Sequence, residues 1–247
     1  MGAITRININ NLFWLGRYTE RVFITLNSFF KYSDKIIESG DKFYGKYLAD
    51  INVPNIYNSF EDFFDRYVFD ENDPNSIYSN LERALGNGIV LREEIKTPSL
   101  SYLQMAADKF RNCRGTDKIR YDLLPVRDAI YAFWGSVDNN MSDLDALRII
   151  HLGKSLERVD MMLRLSLPAE ETLSELNNLL KHVSRYKERC RGIINSAALS
   201  SLEEALDEPG KLGENRQRLI ENVESLFEVN FIEAAAVRLF RAAGFFG

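Results

Sequence analysis

Apolar residues recur every three or four positions over long stretches of this chain, the spacing of helices that turn one face to a core. The clearest stretch predicts a helix from about Ile9 to Ser39, with Leu12, Leu15, Thr19, Val22, Leu26 and Phe30 on one stripe. Similar patterns predict helices over about 57–68, 74–95, 98–113, 119–137, 143–166, 169–191, 197–207 and 214–242. Alternating strand-type runs are scarce, and Gly88-Ile89-Val90-Leu91, which reads most like one, lies inside a helical pattern. The predicted fold class is all-α.

Punctuation supports this division. Most of the six prolines sit where one periodic segment gives way to the next. Asp73-Pro74 and Thr97-Pro98 place a capping side chain before a proline suited to a first helical turn, and Ser142 with Asp145 loosely resembles a capping box. The segment from about Gly40 to Asn72 is rich in Phe, Tyr, Asn and Asp, and it reads as a partly irregular, well-packed connection.

One internal repeat stands out. Leu15-Gly16-Arg17-Tyr18-Thr19-Glu20-Arg21-Val22 returns as Leu152-Gly153-Lys154-Ser155-Leu156-Glu157-Arg158-Val159, and the likeness extends over 12–26 and 149–163. The expected architecture is a single domain, 1–247, a helical bundle whose two pseudo-repeated Glu-Arg helices meet in the core. On each helix the charges lie between apolar neighbours, as in the centre of a bundle. Gly16 and Gly153 each lower helix propensity by about 1 kcal/mol, a penalty explained if another backbone passes close by. Helices crossing there bring the charges together.

Two readings of those charges stay open. In the structural one, Glu20 pairs with Arg158 and Glu157 with Arg21, locking the bundle centre. In the functional one, Arg17, Arg21, Lys154 and Arg158 outnumber Glu20 and Glu157, so the cluster invites an anionic carboxylate or phosphate. Asp160, or Glu93 from another helix, is placed to balance the same charge. A third class, an enzyme, would use Glu20 or Glu157 as general base with arginines holding an oxyanion. It needs an open pocket and a glutamate free of an arginine partner. A pure interaction scaffold needs neither.

Composition narrows the field further. The chain is 45% hydrophobic and 27% charged, ordinary values for a globular protein. A net charge of -5 without long single-sign blocks advertises neither nucleic acid nor an anionic membrane. The start lacks a secretion signal, no run approaches a spanning length, and Cys113 and Cys190 stand in unrelated contexts, so a reduced cytoplasmic setting is expected. Neither His151 nor His182 has a glutamate three residues before it, so the ligand pairs of a helical di-iron bundle are absent and no metal is expected. Gly86-Asn87-Gly88 lacks the lysine and spacing of a phosphate-cradling loop, so no cofactor is expected either.

At the repeated frame the chain resembles the alpha-E family, bacterial all-helical proteins named for a Glu-Arg motif. The resemblance rests on Arg6, Asn11, Trp14-Leu15-Gly16-Arg17-Tyr18 and Glu20-Arg21, then on Pro74, Ser76-Ile77, Asn87 and Leu91-Arg92-Glu93, then on Leu152-Gly153-Lys154 with Glu157-Arg158. It departs at Leu85, Ile89 and Lys154, where arginine is expected, and at Tyr102, where tryptophan is usual. The resemblance implies work beside circularly permuted ATP-grasp ligases and transglutaminase-like peptidases, in making or processing peptide-type amide bonds. The expectation is a non-catalytic accessory or binding component, taking an anionic peptide or small molecule at Arg17, Arg21, Lys154 and Arg158, with Arg92 and Glu93 as contributors from the middle helix. The Phe231–Gly247 segment, apolar with Arg238 and Arg241, reads either as a docked helix or as a handle for a partner or second copy.

Overall fold

The computed structural model of the chain describes residues 6–39, 42–115, 118–186 and 194–227. These form an all-α helical bundle of ten α-helices: α1 (Arg6–Ser39), α2 (Lys42–Asp50), α3 (Phe60–Phe69), α4 (Ile77–Val90), α5 (Arg92–Asn112), α6 (Ile119–Asn140), α7 (Leu144–Arg164), α8 (Ala169–Tyr186), α9 (Ser196–Asp207) and α10 (Leu212–Ser225). Among the described residues the extended structure is an isolated bridge between Ile194 and Phe227. Cys190 and the Phe231–Gly247 segment lie outside them, as does the predicted end of the last helix.

The helix boundaries differ from the sequence pattern where local hydrogen bonds compete with it. The aromatic-rich connection contains α2, whose Tyr44 and Tyr47 pack against Phe63 of α3. The α4 helix starts three residues later than Pro74, because Asp73 accepts from Asn75 N in a turn of its own and Ser76 Oγ caps Ser79 N at 2.9 Å. The α7 cap is Asp143 rather than Ser142: its carboxylate accepts from the amides of Asp145 and Ala146. The α5 helix bends at Lys96, whose φ of 68° breaks the regular backbone, and Pro98 falls in the first turn after the bend.

The core sits on both sides of α7. A large cluster joins α1 to α6 with α7 through residues such as Leu15, Leu26, Leu81, Phe110, Phe133 and Ile150. A second cluster packs Leu156, Val159 and Leu163 of α7 against Leu176, Leu179, Leu202 and Leu219 of α8, α9 and α10. Phe13 of α1 touches both. An α-helix enclosed this completely has little room for charge, yet α7 carries Lys154, Glu157, Arg158, Asp160 and Arg164 there.

The crossing of α1 over α7 explains how. A methyl group built on Gly16 would lie 2.2 Å from the carbonyl oxygen of Ile150, and one on Gly153 would lie 2.1 Å from that of Phe13. Both distances are far inside van der Waals contact, so only glycine lets the two backbones approach this closely. Side chains one turn either way then reach across to the other helix.

Candidate functional site

The crossing sorts the charged residues into two groups. Glu157 is fully buried and accepts Nε of Arg17 at 2.7 Å and Nε of Arg21 at 2.5 Å. Glu20, also fully buried, accepts Nε of Arg158 at 2.7 Å, and Nη1 of Arg158 lies 3.3 Å from Glu175. Each motif's glutamate is therefore held by the other motif's arginine. Burial alone would raise the Glu157 carboxyl, but Arg21 and Arg17 outweigh it and hold the group at about 2. At Glu20 burial wins over Arg158 and the pKa is raised, with Oε2 lacking a hydrogen-bond partner among the described residues. Arg21 is raised in turn, chiefly by Glu157.

Lys154 belongs to the Glu20 group. Its Nζ lies 4.0 Å from the centroid of the Trp134 ring, a cation–π contact, and burial lowers its pKa against the pull of Glu20. Trp134 stacks on His151, which stacks on His182, and His151 Nε2 is 2.7 Å from Asp138. Burial lowers the His151 pKa despite Asp138, so the ring is a packed neutral imidazole near neutral pH.

The Glu157 group opens onto a cavity of about 180 Å³. Arg17 and Arg21 line it from α1, Asp160 and Arg164 from α7, Tyr67 from α3, Asn80 from α4 and Glu224 from α10. Arg17 also lies over Trp14, 4.9 Å from the ring centroid, which restrains its guanidinium. Asp160 accepts Nε of Arg164 at 2.9 Å, and Arg164 Nη2 bonds Glu224. Burial, with Glu157 adding to it, raises Asp160 to about 6 in spite of Arg164. Neither Glu20 nor Arg158 lines the cavity.

Of the residues singled out in the sequence, six meet at the crossing and two do not. Arg92 and Glu93 stand exposed at the start of α5, 3.4 Å from each other and away from the cavity. The count that left two positive charges in excess changes as well. Glu175 balances Arg158, and Asp160 with Glu224 surrounds Arg164, a residue the sequence pattern did not flag. Asp160 and Arg164 are four apart on α7, a spacing visible in the sequence; Glu175 and Glu224 come from other helices. Among the described residues no group of three His, Cys, Asp or Glu side chains is placed to hold a metal, and no helix is long and apolar enough to cross a membrane. Cys113 is buried, its thiol within hydrogen-bond reach of the carbonyls of Lys109 and Asp122, either of which can accept its one proton.

Compared with known proteins, the chain is matched over residues 8–204 by a family model whose description reads "a predicted alpha-helical domain with a conserved ER motif". Neither a curated protein nor a solved structure matches it.

Proposed function

Because the chain belongs to the Alpha-E family, we propose that it is a non-catalytic binding component of an ATP-grasp-linked peptide ligation or modification system, and that it holds the carboxylate of a substrate at Arg17 and Arg21. One observation carries this reading. The two arginines give only their Nε atoms to Glu157, and both line a cavity. Two guanidinium groups share one carboxylate there, and their terminal nitrogens keep the planar fork that suits a second carboxylate.

The catalytic alternative has less support. Glu157, held at about 2, is a weak base at neutral pH, and Glu20 does not border the cavity. The peptide context is part of the proposal and comes from the resemblance, which implies work beside ATP-grasp ligases.

Calorimetric titration of the protein with glutarate tests the binding half. Binding to the wild type and a loss of about tenfold or more in Arg17→Met, which leaves Arg21 on Glu157, is the expected result. Equal affinity of the two proteins would remove Arg17 from the site. Affinity purification of the tagged chain from the cells that make it should bring down an ATP-grasp ligase; its consistent absence would sink the accessory role.

A further inference from the structure

The cavity is lined by two charged groups of opposite character. In one, Arg17 and Arg21 share the single carboxylate of Glu157. In the other, Arg164 is shared by the carboxylates of Asp160 and Glu224. Asp160 is 4% exposed and spends Oδ1 on Arg164. Its Oδ2 makes no hydrogen bond among the described residues, and Asp160 lines the cavity. A simple anion would satisfy the arginines and leave a carboxylate facing it across a small space. A ligand with a cationic donor a few bonds from its carboxylate satisfies both groups.

From this arrangement we infer that the cavity takes a free α-amino acid, its carboxylate on the terminal nitrogens of Arg17 and Arg21 and its ammonium on Oδ2 of Asp160. The inference rests on the carboxylate reading above and names the substrate class of that same site. Size agrees: about 180 Å³ falls below the usual span of drug-sized pockets, roughly 300–1,000 Å³, and suits one residue rather than a folded peptide segment. Chemistry agrees too, since a free amino acid is a building block that an amide-forming ligase consumes.

The test is a calorimetric comparison of each of the twenty common L-amino acids with its deaminated acid, for example alanine with propionate and glutamate with glutarate. At pH 7 at least one amino acid should bind about tenfold more tightly than its deaminated partner, the size of one charge-assisted hydrogen bond. Asp160→Asn should erase that preference while leaving the deaminated acid bound as well as before or better. Asparagine keeps an acceptor for Arg164, and circular dichroism checks the fold. The wild type supplies a second readout that needs no substitution. Lowering the pH through about 6, with Glu157 still ionised, should shrink the preference as Asp160 takes up its proton.

If deaminated acids bind as tightly as amino acids, or Asp160→Asn leaves the preference intact, the amino-acid assignment is wrong and the carboxylate site stands. If neither series binds, both readings are overturned.

Discussion

A buried carboxylate flanked by two guanidinium groups is a stable arrangement only while opposite charges remain paired, because any charge left alone in the interior keeps its desolvation penalty. Glu157→Gln should therefore destabilise the fold at pH 7 by about 3 kcal/mol, read by urea denaturation. The pH dependence follows from the lowered carboxyl. Its pKa falls from 4.5 in the unfolded chain to about 2 in the folded one, so its contribution is complete above pH 4.5 and disappears as the pH falls through about 2. The gap between wild type and Glu157→Gln should close over that window; a gap unchanged at pH 2 would show that the pairing does not set the stability. The two arginines that reach across the crossing should also differ. After Arg21→Met, Glu157 still has Arg17, whereas after Arg158→Met, Glu20 loses the one cation hydrogen-bonded to it among the described residues. Arg158→Met should lower the melting temperature more than Arg21→Met, and the reverse order would contradict the assigned partners.

At the scale of helices, the decisive element is the close passage of α1 over α7. Alanine is a better helix former than glycine by about 1 kcal/mol, so an exposed helical glycine such as Gly86, with open space around it, should stabilise the protein when replaced. Gly16→Ala should do the opposite, by about 3 kcal/mol, since the added methyl meets a backbone carbonyl that cannot turn aside. A melting curve for each variant checks the contrast, and a neutral Gly16→Ala would mean that the helices cross elsewhere. This passage was legible in the sequence because the Leu-Gly-basic frame occurs twice and glycine inside a strong helical pattern needs a steric reason. The aromatic run that became α2 was not, although Tyr44, Tyr47, Leu48 and Ile51 lie on one buried stripe, because a stretch this short and aromatic also suits an irregular packed connection. The true starts of α4 and α7 turned on which of two neighbouring polar side chains found the free amides, a choice settled by geometry. The cavity was half legible: Arg17 and Arg21 declared themselves by their repeat, while Glu224 reaches Arg164 from a helix distant in sequence, and no local pattern records such a meeting. Arg92 and Glu93 followed a motif of the middle helix and landed on the surface.

Across the whole molecule, α7 is the member that both apolar clusters share, so damage at its charged face should not stay local. The double variant Arg21→Met/Arg158→Met is expected to unfold or loosen the bundle as one unit, with α8–α10 losing structure in the same denaturation transition as α1–α6. Separate transitions, followed by circular dichroism and by hydrogen exchange on each helix, would show instead that the second cluster stands on its own. The reciprocal fit of the two glycines carries a lesson for genetics. Each hydrogen that a side chain would replace faces an oxygen of the main chain, which exists whatever residue is encoded at Phe13 or Ile150. A selection for revertants of a damaged Gly16 or Gly153 should therefore return true reversion to glycine, or changes that raise stability elsewhere, and no compensating allele at the facing codon.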